Sequence, residues 1–157
     1  MASTTFDQLH AGLITVLQSS GLNLGRIHDH EVWSTTWEGY VDAFTTEIDG
    51  QRLVRSWEVL RRSTDNEWFS FGKTVKRVYR FTLLGHQGLQ EGRHSEIEFQ
   101  DICDRLMDYL DGQPDIPGVT EFVIQPTQLR DFATAPFGNV LCHHAEIEVN
   151  VEILKNV

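Results

Sequence analysis

The chain has 157 residues, 40% of them hydrophobic and 10% aromatic, with a formal net charge of −10. That length and apolar content suit one folded domain spanning residues 1–157 and exclude a disordered chain. The acidic balance excludes a protein that grips nucleic acid by neutralising phosphates, although an acidic surface suits a passage through which DNA slides without sticking.

In chain order, Thr5 and Gln8 form a capping-box pair at the head of a first helix. Its stripe of Phe6, Leu9, Leu13, Val16 and Leu17 ends near Gly21. Residues 22–31, with Asn23, Gly25 and the run His28-Asp29-His30, read as a connection. Residues 32–48 are rich in Trp, Thr, Tyr, Val and Phe and predict a strand, with Gly39 marking a bulge. Asp49-Gly50 is the strongest hairpin signal, and residues 52–62 return as a second strand with Leu53, Trp57 and Val59 on one side. Residues 63–72 then predict a polar turn and an aromatic tip of Trp68, Phe69 and Phe71.

Residues 74–84 predict a central strand. Val75, Tyr79, Phe81 and Leu83 share a face interrupted by Arg77, while Lys76, Arg80 and Thr82 point the other way. After a glycine-punctuated turn comes the strongest helix signal, with Ser95 as N-cap and Glu98 completing a second capping box. Its stripe is Phe99, Ile102, Cys103, Leu106 and Leu110, and Gly112, Pro114 and Pro117 end it. Residues 119–125 predict a short strand, and residues 126–138 a loop carrying Leu129, Phe132 and Phe137. In the last strand, residues 139–154, Leu141, Ala145, Ile147, Val149, Val151 and Ile153 face the core, whereas Cys142, His144, Glu146, Glu148, Asn150 and Glu152 face away. The order helix, three strands, helix, two strands predicts an α+β domain: a mostly antiparallel sheet of about five strands with two helices packed on one face.

Nothing matches a phosphate loop, a dinucleotide fingerprint, a serine elbow or a zinc-protease helix, and no cofactor is expected. No apolar run is long enough to span a bilayer, and no signal-peptide pattern opens the chain, so neither a membrane nor the general export route is expected. Cys103 and Cys142 lack metal-type spacing and read as reduced packing residues. His28, Asp29, His30 and Glu31 are the nearest approach to a metal cluster; without a helical His pair or a Cys partner they read as a solvated loop, and no metal is expected. His143 and His144 fall on opposite faces of a strand, His143 on the apolar side as a hydrogen-bonded core residue. Asp101, Asp104 and Asp108 form a solvated helix stripe. The acidic row Glu146, Glu148 and Glu152 requires solvent or partners, which Lys76 and Arg80 supply if the last strand lies beside the central one; the sharper reading is an acidic channel wall.

This order of elements, the long central strand feeding a capped helix, the acidic balance and the length together resemble the tail terminator, or tail-completion, proteins of long-tailed bacteriophages and prophages. The resemblance is one of layout and covers residues 6–154. It implies a non-enzymatic protein that assembles as a homo-oligomeric ring, usually a hexamer, on the end of the finished tail tube. Such a ring stops polymerisation of the tube protein and offers the surface that joins a head-completion or connector protein. It implies a place in the virion, at the tail end or neck, after assembly in the bacterial cytoplasm, with DNA passing through the ring and no stable nucleic-acid binding. The assembly contacts would be Trp68, Phe69, Phe71, Leu129, Phe132 and Phe137, with Glu146, Glu148 and Glu152 as the channel wall. Another neck or tail factor of the same layout is one alternative. The other is a small α+β enzyme or ligand-binding domain with a pocket between helices and sheet, using His144, Glu146 or the His28 cluster.

Overall fold

The computed structural model describes residues 4–70, 72–90 and 94–157. The elements are α1 (Phe6–Gln18), β1 (Arg26–His28), α2 (Trp37–Ala43), β2 (Thr45–Ile48), β3 (Gln51–Ser70), β4 (Thr74–Gly88), α3 (Ser95–Asp111), β5 (Phe122–Ile124), β6 (Gln128–Phe137) and β7 (Val140–Asn156). Among the described residues this is a seven-stranded mixed sheet with three helices, which corrects the expected five strands and two helices. Three long antiparallel strands, in the order β3-β4-β7, form its centre. On the outer edge of β3, β2 pairs antiparallel and β1 pairs parallel, one after the other along the strand. On the outer edge of β7, β6 and β5 do the same, both antiparallel.

Local chemistry accounts for the parts that agree with expectation. Thr5 caps α1 by accepting from the Gln8 N–H at 3.2 Å, and Gln8 Oε1 accepts from the Thr5 N–H at 2.9 Å. Asp49 and Gly50 adopt φ of 52° and 77°, the paired left-handed conformations that turn β2 tightly into β3. The stripe of α3 is buried at Phe99, Cys103, Leu106 and Leu110 and half-buried at Ile102, and α1 buries Leu9, Leu13, Val16 and Leu17. Both helices cover one face, where they meet Trp57, Val59, Tyr79, Phe81, Leu83, Ile147, Val149, Val151 and Ile153. Tyr109 Oη locks the helices together by donating to the Val16 carbonyl at 3.0 Å.

Four expectations are corrected. The segment 32–48 is not one strand: Thr36 Oγ1 accepts from the Gly39 N–H at 3.1 Å and caps α2, so Gly39 lies in a helix and not at a bulge. The segment 63–69 is not a turn but the continuation of β3, paired with β4 almost to its end. The segment 126–138 is largely strand β6, an edge strand whose exposed residues mix polar Gln128, Arg130 and Asp131 with Leu129 and Ala133. Ser95 and Glu98 form no capping box: the N-cap position is His94, Ser95 Oγ lies 3.0 Å from His143 Nε2, and Glu98 pairs with the buried guanidinium of Arg55. An ion pair with a buried arginine outweighs a single backbone N–H as a partner for that carboxylate.

The helices do not all share one face either. Segment 32–44 folds over the opposite face at one end of the sheet, where Phe44, Val54, Phe137 and Cys142 form a second small core with Tyr40, Val41 and Val140. This explains a local reversal in β7. Cys142, expected outward, is fully buried, whereas Leu141, expected inward, is 49% exposed because the helical layer ends before it.

Two substitutions test this packing. Leu106→Ala should lower stability by about 2–5 kcal/mol in chemical or thermal melts, as a buried large-to-small change. Gly85→Ala places a Cβ 2.6 Å from Trp57 Cη2 and should cost about 1–3 kcal/mol through overpacking. A neutral result for both would remove the Trp57 layer from the core.

Candidate functional site

The residues expected at an assembly contact divide into two groups. Trp68 and Phe69, at the end of β3, are 69% and 61% exposed, and Leu129 on β6 is also exposed. Phe71 lies outside the described residues. Phe132 and Phe137 belong to the body of the protein, which corrects their placement in an exposed loop. Phe132 is half-buried against Phe99 and His143, with ring centroids 5.7 and 6.3 Å away, and Phe137 is buried against Phe44 at 4.9 Å and Tyr40 at 5.3 Å. Their partners come from segments remote in sequence, so nothing in residues 126–138 alone signals them.

The acidic row lies along the polar face of β7, opposite α1 and α3. Glu148 accepts from Arg130 Nε at 2.6 Å and Asn150 Nδ2 at 2.8 Å, with Arg80 Nη1 3.8 Å away. The Arg130 hydrogen bond, then that from Asn150, holds its carboxyl below the usual carboxylate range. Arg80 also donates to Asp65 at 2.9 Å, and Glu152 accepts from Gln125 Nε2 at 3.4 Å. Lys76 pairs with Glu67 at 3.1 Å, and that hydrogen bond raises its ammonium above the ordinary lysine value. Of the two cations expected to pair with the row, Arg80 reaches Glu148 and Lys76 turns to β3. Arg130, on a segment read as loop, was missed. The face is a lattice of alternating charges rather than a bare acidic wall.

The histidines occupy three environments. His28 Nε2 donates to the Ala43 carbonyl at 2.9 Å and so ties β1 to the end of α2. Asp29 and His30, both exposed, pair with each other, and that hydrogen bond lowers the Asp29 carboxyl. Among the described residues no group of three His, Cys, Asp or Glu side chains is placed to hold a metal ion.

His143 and His144 point to opposite faces, as strand geometry requires. On the polar face His144 Nε2 donates to the Ala135 carbonyl at 3.1 Å, so its Nδ1 accepts from His86 Nδ1, 2.8 Å away. His86 Nε2 then faces Glu58 Oε1 at 3.5 Å, within a setting closed by Phe137 and Phe44. Glu58 and His86 are both buried. On the apolar face His143 sits between two hydroxyls: Ser95 Oγ lies 3.0 Å from Nε2 and Thr134 Oγ1 lies 3.0 Å from Nδ1. Burial lowers the pKa of both imidazoles; His86 lowers His144 further, whereas Glu96 opposes the shift at His143.

Among the described residues, the expected place for a pocket is the space between α1, α3 and the sheet. That space is filled by Trp57, Phe81, Phe99 and Leu106, each fully buried. The described cavities are open surface grooves. One of about 420 Å³ lies at the head of α3 beside Ser95 and His143, and one of about 300 Å³ lies on the polar face between His86, Asp131, His144 and Glu146. Comparison with protein-family models finds no match, and comparison with curated proteins finds none either.

Buried His143 and half-buried His144 predict the acid limb of stability. Both are held below the ordinary value of 6.5, so between the lowered values and 6.5 the unfolded chain binds more protons than the folded one. Their contribution is complete above about pH 6.5 and is lost as the pH falls below it. Glu148, held below 4.5, adds a further loss at more acidic pH. Thermal midpoints from pH 8 to 4 should therefore fall on the acid side, with a shallower slope between pH 6.5 and 5 in H144Q. A midpoint independent of pH across that window would show that these imidazoles do not titrate on unfolding.

Proposed function

We propose that this chain is a structural subunit of a self-assembling ring that caps the end of a phage or prophage tail tube. In this reading the ring, a hexamer of identical chains, ends growth of the tube protein and presents the surface to which a head-completion or connector protein joins.

The observation that supports the reading best is the far half of β3. Residues 59–70 pair with β4 on one side and, among the described residues, with no strand on the other. This open edge ends in Trp68 and Phe69, the large exposed aromatics nearest its tip. A solitary soluble domain seldom leaves an unpaired strand edge and a pair of bulky rings together in solvent, because both invite association. An assembly subunit uses such features, since its apolar area must be exposed when free and covered when joined. Arg61, Arg62, Asp65 and Glu67 along the same edge would restrict that association to a partner of matching charge. The paired charges of the polar face, with the net charge of −10, suit a surface that meets DNA without holding it.

The double substitution Trp68→Ala with Phe69→Ala tests this directly. Truncating a central interface aromatic costs about 2 kcal/mol or more, roughly a thirtyfold loss of affinity. The variant should keep its circular dichroism and melt while self-association, measured by sedimentation, or capping of purified tail tubes, measured as tube length by microscopy, weakens at least that much. Phe137→Ala, by contrast, should lower the melt. Unchanged assembly in a folded double variant would remove the β3 tip from the interface. A wild-type chain that stays monomeric and leaves tube length unchanged would overturn the function.

A further inference from the structure

We propose that Ser95 and His143 form a nucleophile and general base that hydrolyse small carboxylic esters at the head of α3, an activity separate from the ring role. A neutral imidazole has one donor and one acceptor nitrogen. With Nδ1–H donating to Thr134 Oγ1, Nε2 is left to accept the Ser95 hydroxyl proton, and both contacts measure 3.0 Å. That tautomer is the one a base needs to activate a serine. Burial keeps the imidazole neutral and able to take the proton, and the nearby Glu96 carboxylate favours the imidazolium that results. Thr134 is a positioning residue, acting through the ring it orients.

The surroundings supply the remaining parts. Ser95 is the first residue of a 17-residue helix, and the N-cap residue, His94, provides no side-chain cap. The N–H groups of Glu96 and Ile97 belong to the first turn, whose amides lack partners within the helix and point out of its N-terminus. Donors of that kind stabilise the oxyanion formed when a carbonyl is attacked. The groove of about 420 Å³ that opens over the pair is also lined by Leu89, Gln90 and Ile97, with Leu89 and Ile97 exposed to receive an apolar acyl chain. Independently, the side-chain oxygen of buried Gln87 has no hydrogen-bond partner among the described residues, while its amide nitrogen lies 3.5 Å from the Ser95 carbonyl. The Gln87 amide thus lies under the first turn of α3, behind the groove.

The chemistry balances without a cofactor. Ser95 Oγ attacks the ester carbon as its proton passes to His143 Nε2, forming the C–O bond and an oxyanion. Collapse of the oxyanion breaks the bond to the leaving alkoxide, which takes the proton from Nε2 and departs as an alcohol. Water then attacks the acyl-serine, giving its proton to Nε2; the acyl–Oγ bond breaks, a carboxylic acid leaves, and Ser95 recovers its proton.

The test uses the full chain with a fluorophosphonate probe and with p-nitrophenyl acetate. Peptide mapping of the wild type should find the phosphonyl adduct on Ser95, and S95A should lose at least about a hundredfold of the ester hydrolysis. T134V, folded by its melt, should lower kcat about tenfold with KM unchanged, a split that a purely structural hydroxyl would not produce. Absence of an adduct on Ser95 in folded wild-type protein at saturating probe would overturn the proposal, as would hydrolysis unchanged in S95A. Because the adduct is read on the wild type, the result does not depend on how S95A folds.

Discussion

The contact on which the architecture turns is the Trp57 indole laid across Gly85. The two residues are register partners in β3 and β4, and any side chain at position 85 would occupy the space the ring fills. Phe99 of α3 closes over the same indole, with ring centroids 5.8 Å apart. One aromatic therefore sets the pairing of two of the three long central strands and the height of the helix above them. Once α3 sits there, Ser95 at its first turn reaches His143 of β7 and Glu98 reaches Arg55 of β3. The buried guanidinium also donates to the Asn23 carbonyl at 3.3 Å, which brings the segment before β1 into the same arrangement.

The sheet separates two kinds of physics. Its apolar face is covered by α1 and α3 and holds the main core. Its other face is largely a lattice of ion pairs, Arg80 with Asp65, Arg130 with Glu148 and Lys76 with Glu67, of the sort that stabilises little but keeps a strand face wet and specific in what it meets. At one end this polar face is closed by segment 32–44 and the chain of buried Glu58 and His86 with half-buried His144. At the other end β3 runs on with one edge open to Trp68 and Phe69. In the proposed ring, the open β3 end is the surface that a neighbouring copy would cover.

What the sequence by itself determined were features written in neighbouring residues. The Thr5 and Gln8 capping box, the Asp49-Gly50 turn, the apolar stripes of α1 and α3 and most of the alternation in β7 depend on partners within a few positions, and all stand in the structure. The opposite pointing of His143 and His144 follows from strand geometry alone, and it placed both correctly before any partner was known. Tertiary structure decided the rest, because there the partners are far apart in the chain. Residues 37–43 have the composition of a strand, yet a Thr36 cap and the second core made by Phe44, Val54, Phe137 and Cys142 hold them as a helix. Ser95 and Glu98 have the spacing of a capping box, but His143 and Arg55, 48 and 43 residues away, claim them. Edge position made a loop-like sequence into β6, and the end of the helical layer exposed Leu141 while burying Cys142. Periodicity is a property of one segment; burial, charge pairing and edge exposure belong to the surfaces that meet it, and no single segment contains them.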